Sequence, residues 1–475
     1  MSKQKDGAGK KNPELAIVIL AAGKGTRLKS HRPKVLHEIA GKPLLSHVIA
    51  AASRVVAPAD IYVIVGHQSE KVREAVAARG VHFVEQTDQR GTGHAIQCAR
   101  AAIAGYENIL VLSGDVPLIQ PETIELVWHF HQAQRAAMTI LSAVSGDTAG
   151  YGRVLRKAGS PEVEAIVEQK ALTPRQQSVS EIDSGIYAFR TAALLAHLGK
   201  LIADNAHREL HLTDMAGLLH AAGERVVAVQ ATEATELLHA STIAELVALD
   251  ATMRAATASR LMAAGVTIFR PETCVIDAEV EIAPDTVIEP FVQLLGRTKI
   301  GAECRIRSYS VIENCTLGDA VRINQSSVLE ASSVFDGAII GPFAHLRPGS
   351  EIGENAHVGN FVETKKTRLG KGSKANHLTY LGDAIIGPKT NIGAGVITCN
   401  YDGVHKHQTR IGEGVFVGSD STLVAPVSVE DGAYIGAGSC ITKDVPAGAL
   451  AVARARQISK EGWAAERRAR QTAKN

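Results

Sequence analysis

Two stretches of this sequence carry the residue types needed to handle phosphate. Leu20-Ala21-Ala22-Gly23-Lys24-Gly25-Thr26-Arg27 is glycine-rich, ends in a cation and is followed by Pro33-Lys34. Glycine lets backbone N–H groups approach a phosphate with no side chain in the way. Arg27 and Lys34 can neutralise a triphosphate and the pyrophosphate that leaves it. The spacing is neither a Walker loop nor a dinucleotide fingerprint. Further on, Ser113-Gly114-Asp115-Val116-Pro117 sets a carboxylate at the end of an apolar run, and oxygen ligands of that kind suit Mg2+. A structural turn and a helix cap are the plainer readings of the two stretches. The basic pair in register with the glycines favours the functional one.

Such residues need a scaffold. From Leu15 to about Ala231, continuous apolar runs (16–20, 61–65, 109–112) alternate with helical stretches such as 44–56 and 71–78. Buried strands alternating with helices predict a parallel α/β sheet of Rossmann-like type, with chemistry in the loops at the carboxyl ends of its strands. Residues 240–264 are Ala-rich, with Leu246, Leu249 and Met253 at helical spacing, and predict a connecting helix. From Cys274 the texture changes: Ile276, Ile282, Ile288, Leu294, Ile300, Ile306 and Ile312 follow at six-residue intervals. The phase slips and resumes at Ile340, Ile386 and Ile411. A period of six matches the rungs of a parallel β-helix, whose core is built by stacking. The phase breaks predict loops near Phe361–Arg368 and Asn400–Thr409. The expected organisation is a disordered leader at 1–14, an α/β domain at 15–239, a helical linker at 240–264 and a β-helix at 265–475.

Composition narrows the setting. Of 475 residues, 51 are Lys or Arg and 49 Asp or Glu, a net charge of +2 that calls for no nucleic-acid partner. No apolar run is long enough to span a membrane, and the Lys-rich start lacks a signal-type apolar core. The six Cys hold no CxxC pair and read as reduced thiols of a cytoplasmic protein.

With these motifs in place the sequence resembles a known family, the bifunctional N-acetylglucosamine-1-phosphate uridyltransferase / glucosamine-1-phosphate acetyltransferase of bacteria. The likeness runs from about Leu15 to Trp463. It is strongest at Arg347-Pro348-Gly349, at 357–363, at Lys374–Asp383 and at Asn391-Ile392-Gly393-Ala394-Gly395. The resemblance implies a left-handed β-helix, which the period alone does not show, and a homotrimer. It implies acetylation of glucosamine-1-phosphate by acetyl-CoA, then uridyl transfer from UTP to the product with release of pyrophosphate.

For the nucleotidyl half it implies a UDP-sugar site at Leu20, Ala21, Gly23, Lys34, Gln86, Gly91, Thr92 and Asp115, with Gln86, Gly91 and Thr92 reading uracil. Gly152, Glu168 and Asp183 would form the sugar side. The nucleophile is already an ionised phosphate, so Arg27 and Lys34 would act by positioning and charge neutralisation. The metal, Mg2+ with Mn2+ or Co2+ as alternatives, would sit on Asp115 and His239. Three positions depart from the family: Asp183 and His239 stand where it has Asn, and Ser113 replaces Tyr. Asp183 would place a negative charge near the incoming phosphate. His239 would favour softer metals. The alternative reading is therefore an acetyltransferase whose nucleotidyl half is inactive or uses another sugar-1-phosphate. A non-catalytic scaffold of this architecture would have no need of Arg27, Lys34, Asp115 and His377 together.

For the acetyl half it implies His377 as general base, apt because its ordinary pKa of ~6.5 lies near working pH. Glu363 is a candidate to orient it. Arg347, Lys365, Tyr380 and Asn391 would hold the sugar phosphate, and Ala394, Asn400, Tyr401, Ser419, Ala437 and Arg454 the acetyl-CoA. The basic tail beyond Arg454 is either a solvated end or a grip on the CoA phosphates.

Overall fold

The computed structural model describes residues 13–144, 148–157, 160–203 and 209–472. The expected leader at 1–12 lies outside them. Pro13 and Glu14, assigned to it from the sequence, instead accept backbone hydrogen bonds from Glu107 and Asn108 and are part of the fold. The chain divides into two compact units, Met1–Met253 and Arg254–Asn475.

In the first unit the main sheet runs in the order Val226–Gln230, Met138–Val144, Glu181–Arg190, Asn108–Ser113, Leu15–Leu20, Ile61–Val65, His82–Glu85. Its central strands are buried on both faces: Ala16 and Val18 enter one apolar cluster, Ile17 and Ile19 the other. That is why they read as unbroken apolar runs. The sheet is not all parallel, as the sequence suggested. Glu181–Arg190 runs antiparallel to both neighbours, entering after the hairpin Arg153–Arg156/Val163–Val167. Apolar runs look alike in either direction, so the pattern could not reveal it.

The second unit is a left-handed parallel β-helix with three faces, sheets of eleven, ten and nine strands in which each strand pairs with the third one on until the last pair, Tyr434–Ile435 with Leu450–Ala451. The six-residue apolar series points inward: Ile276, Leu294, Ile312, Leu329 and Leu346 stack in register down one face. Corners are turned by residues in the left-handed region, among them Phe343, Phe361 and Leu378. The expected loop near 361–368 is absent. Strands Glu363–Lys365 and Arg368–Leu369 continue the coil, and the step from buried Thr364 to Leu369 is shortened by a tight corner at Lys366, φ 47°. The second phase break is a loop, between Ile397–Cys399 and Thr409–Ile411. The helix Ile243–Ala263 contains the division between the units. Leu246 and Leu249 pack with Ile39, Leu44 and Leu118, whereas Ala258 and Leu261 join the coil's core.

Candidate functional site

The glycine-rich turn after Leu15–Leu20 forms the floor of a cleft. One part, a cavity of about 340 Å3, is lined by Leu20, Ala21, Gly23, Arg27, Lys34, Thr92 and Asp115, all expected from the sequence. It also takes in Ser241, which was not. Leu20, Gly23 and Thr92 are shared with a larger part of about 950 Å3, which adds Gly91 and the unforeseen Lys24, Arg90 and His211. The geometry explains two glycines. Gly25 sits at φ 63°, and a Cβ there would meet the Lys34 Cβ at 2.6 Å, so only glycine lets Lys34 fold over the turn. Gly91, at φ 98°, caps the helix Thr92–Ile103, and a Cβ would meet the Leu210 carbonyl oxygen at 2.5 Å. Gln86 is buried behind this rim and donates to the Gly91 carbonyl at 3.0 Å.

Lys34 Nζ makes an ion pair with Asp115, and Ser113 Oγ donates to Asp115 Oδ1 at 2.7 Å. Burial alone would raise the Asp115 carboxyl. The Lys34 ammonium, the hydrogen bonds from Lys34 and Ser113, and nearby His239 outweigh it and hold the group ionised below the usual carboxylate range. Among the described residues no cluster of three or more His, Cys, Asp or Glu could hold a metal. A cation at Asp115 would take further ligands from substrate phosphates, a mode that suits Mg2+. Ser241 offers a neutral oxygen: it is 4% exposed, and its Oγ is buried without a partner. The sequence assigned this place to His239. The chain instead brings Ser241 to the cavity, while the His239 ring packs edge-on against Tyr151 with centroids 5.0 Å apart. Burial lowers the His239 pKa despite the pull of Asp115.

The three sugar-side residues come together. Gly152 accepts a hydrogen bond from the Asp183 N–H at 3.0 Å, and Arg153 pairs with Val167, the residue before Glu168. Glu168 Oε1 accepts from Thr213 Oγ1 at 3.0 Å and lies 4.0 Å from His211 Nδ1, which links it to the larger cavity.

In the coil the expected acetyl-site residues fall on two adjoining faces, the corner between them and the projecting loop. Arg347 follows the strand His345–Leu346, and Glu363, Lys365 and Tyr380 stand on the next two strands of that sheet, in register: His345 with Glu363, Glu363 with Tyr380, and Lys365 with Gly382. Arg347 Nη1 donates to Glu363 Oε1 at 2.9 Å. The carboxylate thus has Arg347 as its partner rather than the His377 imidazole expected from the sequence. Lys365 lies against Lys406, which lowers its pKa. Lys406 was not foreseen, although two adjacent ammonium groups call for an anion. Asn400 Nδ2 donates to Asp383 Oδ2 at 2.5 Å, and exposed Tyr401 pairs with Lys406 in the projecting loop.

His377 ends the strand Lys374–His377, in register with Asn360, at a corner. The same corner carries Ala394 one rung on, then Ser419, then Ala437: the Gly395 N–H bonds the Leu378 carbonyl, Asp420 that of Ala394, and Gly438 that of Ser419. A Cβ on Gly393 would lie 2.6 Å from Ser419 N, and one on Gly418 2.5 Å from Ala437 N. Arg454 flanks the next turn, 3.9 Å from a Cβ on Gly438. Rungs about 4.8 Å apart thus file His377, Ala394, Ser419, Ala437 and Arg454 along one edge, a track for a long, thin cofactor. Asn391 sits next to Lys374 in the strand after His377. The tail ends in the exposed helix Trp463–Thr472.

The family model for a MobA-like NTP transferase domain matches residues 17–264. Models for the bacterial transferase hexapeptide (six repeats) and the hexapeptide repeat of succinyl-transferase match 331–366 and 408–443. A protein of Koribacter versatilis called "Bifunctional protein GlmU" is 60% identical over 465 residues, 98% of this chain and 99% of that one. One of the same name from Solibacter usitatus is 49% identical over 455 residues, 96% of this chain and 97% of that one. Among solved structures, a UDP-glucose pyrophosphorylase complexed with UDP-glucose matches 50% of this chain and 98% of its own at 18% identity and TM-score 0.41, too distant to bear on function.

Proposed function

The chain belongs to the bifunctional GlmU family, and on that footing we propose how its residues divide the work between two sites. It is a bifunctional enzyme of UDP-N-acetylglucosamine biosynthesis, an acetyl-CoA-dependent N-acetyltransferase of glucosamine-1-phosphate and a metal-dependent uridyltransferase of the product.

In the α/β unit, Gln86, Gly91 and Thr92 hold the uracil of UTP at the wide end of the cleft. Backbone N–H groups around Gly23, with Arg27 and Lys34, hold the triphosphate. Gly152, Glu168 and Asp183 hold the sugar. The sugar-phosphate oxygen that attacks the α-phosphate is already ionised, so the residues act by alignment and by offsetting charge on the leaving pyrophosphate. Asp115 and Ser241 are the ligands we assign to the metal, with Mg2+ as the ion. When bound it screens the phosphate charge. Lys34 exchanges its pairing with Asp115 for one with phosphate.

In the coil, Arg347, Lys365 and Lys406 grip the sugar phosphate, with Tyr380 and Asn391 beside them. His377 takes the proton from the 2-amino group as it attacks the thioester carbonyl. Acetyl-CoA lies along the corner from Ala394 past Ser419 and Ala437 to Arg454, with Asn400 and Tyr401 at its side. A single coil offers only a shallow edge there, which supports a homotrimer with each site completed by a neighbour. The six cysteines are free thiols, in keeping with the cytoplasmic setting we assign.

The observation that carries this reading is the separation of the chemistry: one cation-lined cleft with Asp115, and one corner file headed by His377. Purified protein assayed for each half-reaction tests it. We expect both activities; loss of acetyl transfer alone in His377→Ala and of uridyl transfer alone in Lys34→Ala supports the division. Loss of both in either variant, with the fold intact, rejects it.

A further inference from the structure

The strand Glu181–Arg190 slips register against Met138–Val144 between Asp183 and Tyr187. In a regular strand residues four apart are separated by about 13 Å. Here Gly185 turns at φ 76°. Ser184 Oγ donates to the Leu141 carbonyl at 2.6 Å and accepts from the Ile186 N–H at 3.1 Å, pinning the bulge. Tyr187 OH is thereby delivered to Asp183 Oδ2 at 2.6 Å. Bulges of this kind re-aim side chains beside functional sites.

Asp183 is 8% exposed, and its Oδ1 has no hydrogen-bond partner. The groups facing it are Tyr187 and the Gly185 N–H on its own strand, Ser142 across the sheet, and the carboxylate of Glu168 from the neighbouring hairpin. No lysine, arginine or histidine among the described residues pairs with it. A lone carboxylate so placed is costly, and the inexpensive solution is to keep its proton. Burial pushes the carboxyl up to about 7, the bonds from Tyr187 and Gly185 only partly opposing, with Glu168 adding to the rise. Because Tyr187 donates to Oδ2, the proton belongs on Oδ1, the atom left without a partner. Gly152, whose Cβ would lie 3.7 Å from that of Asp183, puts no side chain of its own against that flank.

We propose that Asp183 serves the nucleotidyl half as a neutral carboxylic acid, its Oδ1–H donating a hydrogen bond to an acceptor oxygen of the sugar phosphate. It rests on the placement of the sugar beside Gly152 and Glu168 argued above. It reverses the expectation from sequence that Asp183 brings a negative charge to that subsite. An amide offers an N–H at any pH; this group offers its O–H only while protonated.

The test is the KM for N-acetylglucosamine-1-phosphate in uridyl transfer between pH 6 and 9, for the native enzyme and Asp183→Asn, with the KM for UTP alongside. Taking the ratio of the two enzymes cancels the titration of the substrate. We expect the native-to-variant ratio for the sugar phosphate to be flat near pH 6 and to climb toward tenfold per pH unit, roughly, above the carboxyl's midpoint. The ratio for UTP should stay level. A sugar-phosphate ratio that does not change with pH overturns the proposal while leaving the site's function intact. No uridyl transfer at any pH, with the protein folded, instead overturns the underlying reading and the proposal with it. Should the variant not fold, the 13C carboxyl resonance of Asp183 in native protein decides: an ionised signal at pH 6 rejects the idea, and a protonated one titrating near neutrality upholds it.

Discussion

The two units build their sites in opposite ways. In the α/β unit, Gly23, Asp115 and Ser241 are far apart in sequence and meet in one cavity because separate elements end near one another. In the coil, His377, Ala394, Ser419 and Ala437 meet because one corner recurs with every turn of chain. The first arrangement lets each residue sit in its own environment, so charges can be tuned singly, as with the ionised Asp115 and the protonated Asp183. The second gives a repeated, open edge in which neighbouring rungs supply similar surroundings. Tuning of single buried groups belongs to the cleft; alignment along an extended ligand belongs to the coil.

The sharpest way to break this contrast is to remove the head of the corner file. His377→Ala should lower acetyl-transfer kcat by about 10²–10⁴-fold, the range for a general base, with uridyl transfer unchanged. Near-normal acetyl transfer would end the assignment. In the cleft, Lys34→Ala should lower uridyl-transfer kcat/KM by about 10²–10³-fold through loss of charge stabilisation on the departing pyrophosphate. A change in KM for UTP alone would mean that Lys34 binds the ground state and transition state equally.

Tuning of single groups in the cleft also predicts a pH-dependent stability. The folded pKa of Asp183, about 7, lies above its unfolded value. The folded state therefore binds the proton more tightly, and stability falls as pH rises from the unfolded pKa through about 7. Asp183→Asn removes this term. The variant's melting temperature relative to native should rise between pH 5 and pH 8.5, by an amount on the order of a few kcal/mol of stability. Equal differences at both pH values would mean that Asp183 is ionised throughout.

Legibility in the sequence followed the same contrast. The coil could be read because one inward residue every six is a strong, repeated constraint, and even its phase slips were visible. They were misread at Phe361–Arg368 because a shortened corner and an outgoing loop both interrupt a period. In the cleft, the glycine-rich turn and Asp115 could be read because each lies within one motif. The antiparallel course of Glu181–Arg190 could not, since buried strands carry no direction in their apolar pattern. Ser241 was not seen as a cavity residue because only the folded path shows which side chains line the cavity. The protonation of Asp183 depends on burial and on a bulge that no local pattern announces.

The choice between Ser241 and His239 as metal ligand yields a smaller effect. Ser241→Ala should weaken binding of Mn2+ in the presence of UTP by about tenfold, the loss of one neutral oxygen ligand, worth on the order of 1–2 kcal/mol. The paramagnetic resonance of free Mn2+ reads this without any turnover. His239→Asn should change it less. The reverse order would restore His239 as the ligand.

The smallest effect tests whether single-group tuning is really confined to the cleft. Glu363 could act on His377, which would bring such tuning into the coil, or on Arg347 alone. The structure favours Arg347: the two are bonded at 2.9 Å, and both are about 40% exposed. Exposed pairs of this kind contribute little, because water already solvates both partners and holding two long side chains costs entropy. Glu363→Gln keeps a carbonyl acceptor for Arg347 and removes only the charge. If Glu363 merely holds Arg347 in place, the KM for glucosamine-1-phosphate should change by about two- to five-fold, with kcat and its pH profile unmoved. If Glu363 instead stabilises protonated His377, losing its charge lowers the imidazole pKa. The acid limb of the kcat profile should then move to lower pH, and kcat at the plateau should fall as the base weakens. A moved limb would show that the coil tunes its base through a neighbouring carboxylate, as the cleft tunes Asp115 through Lys34. An unmoved limb with an altered KM leaves His377 placed by the corner alone.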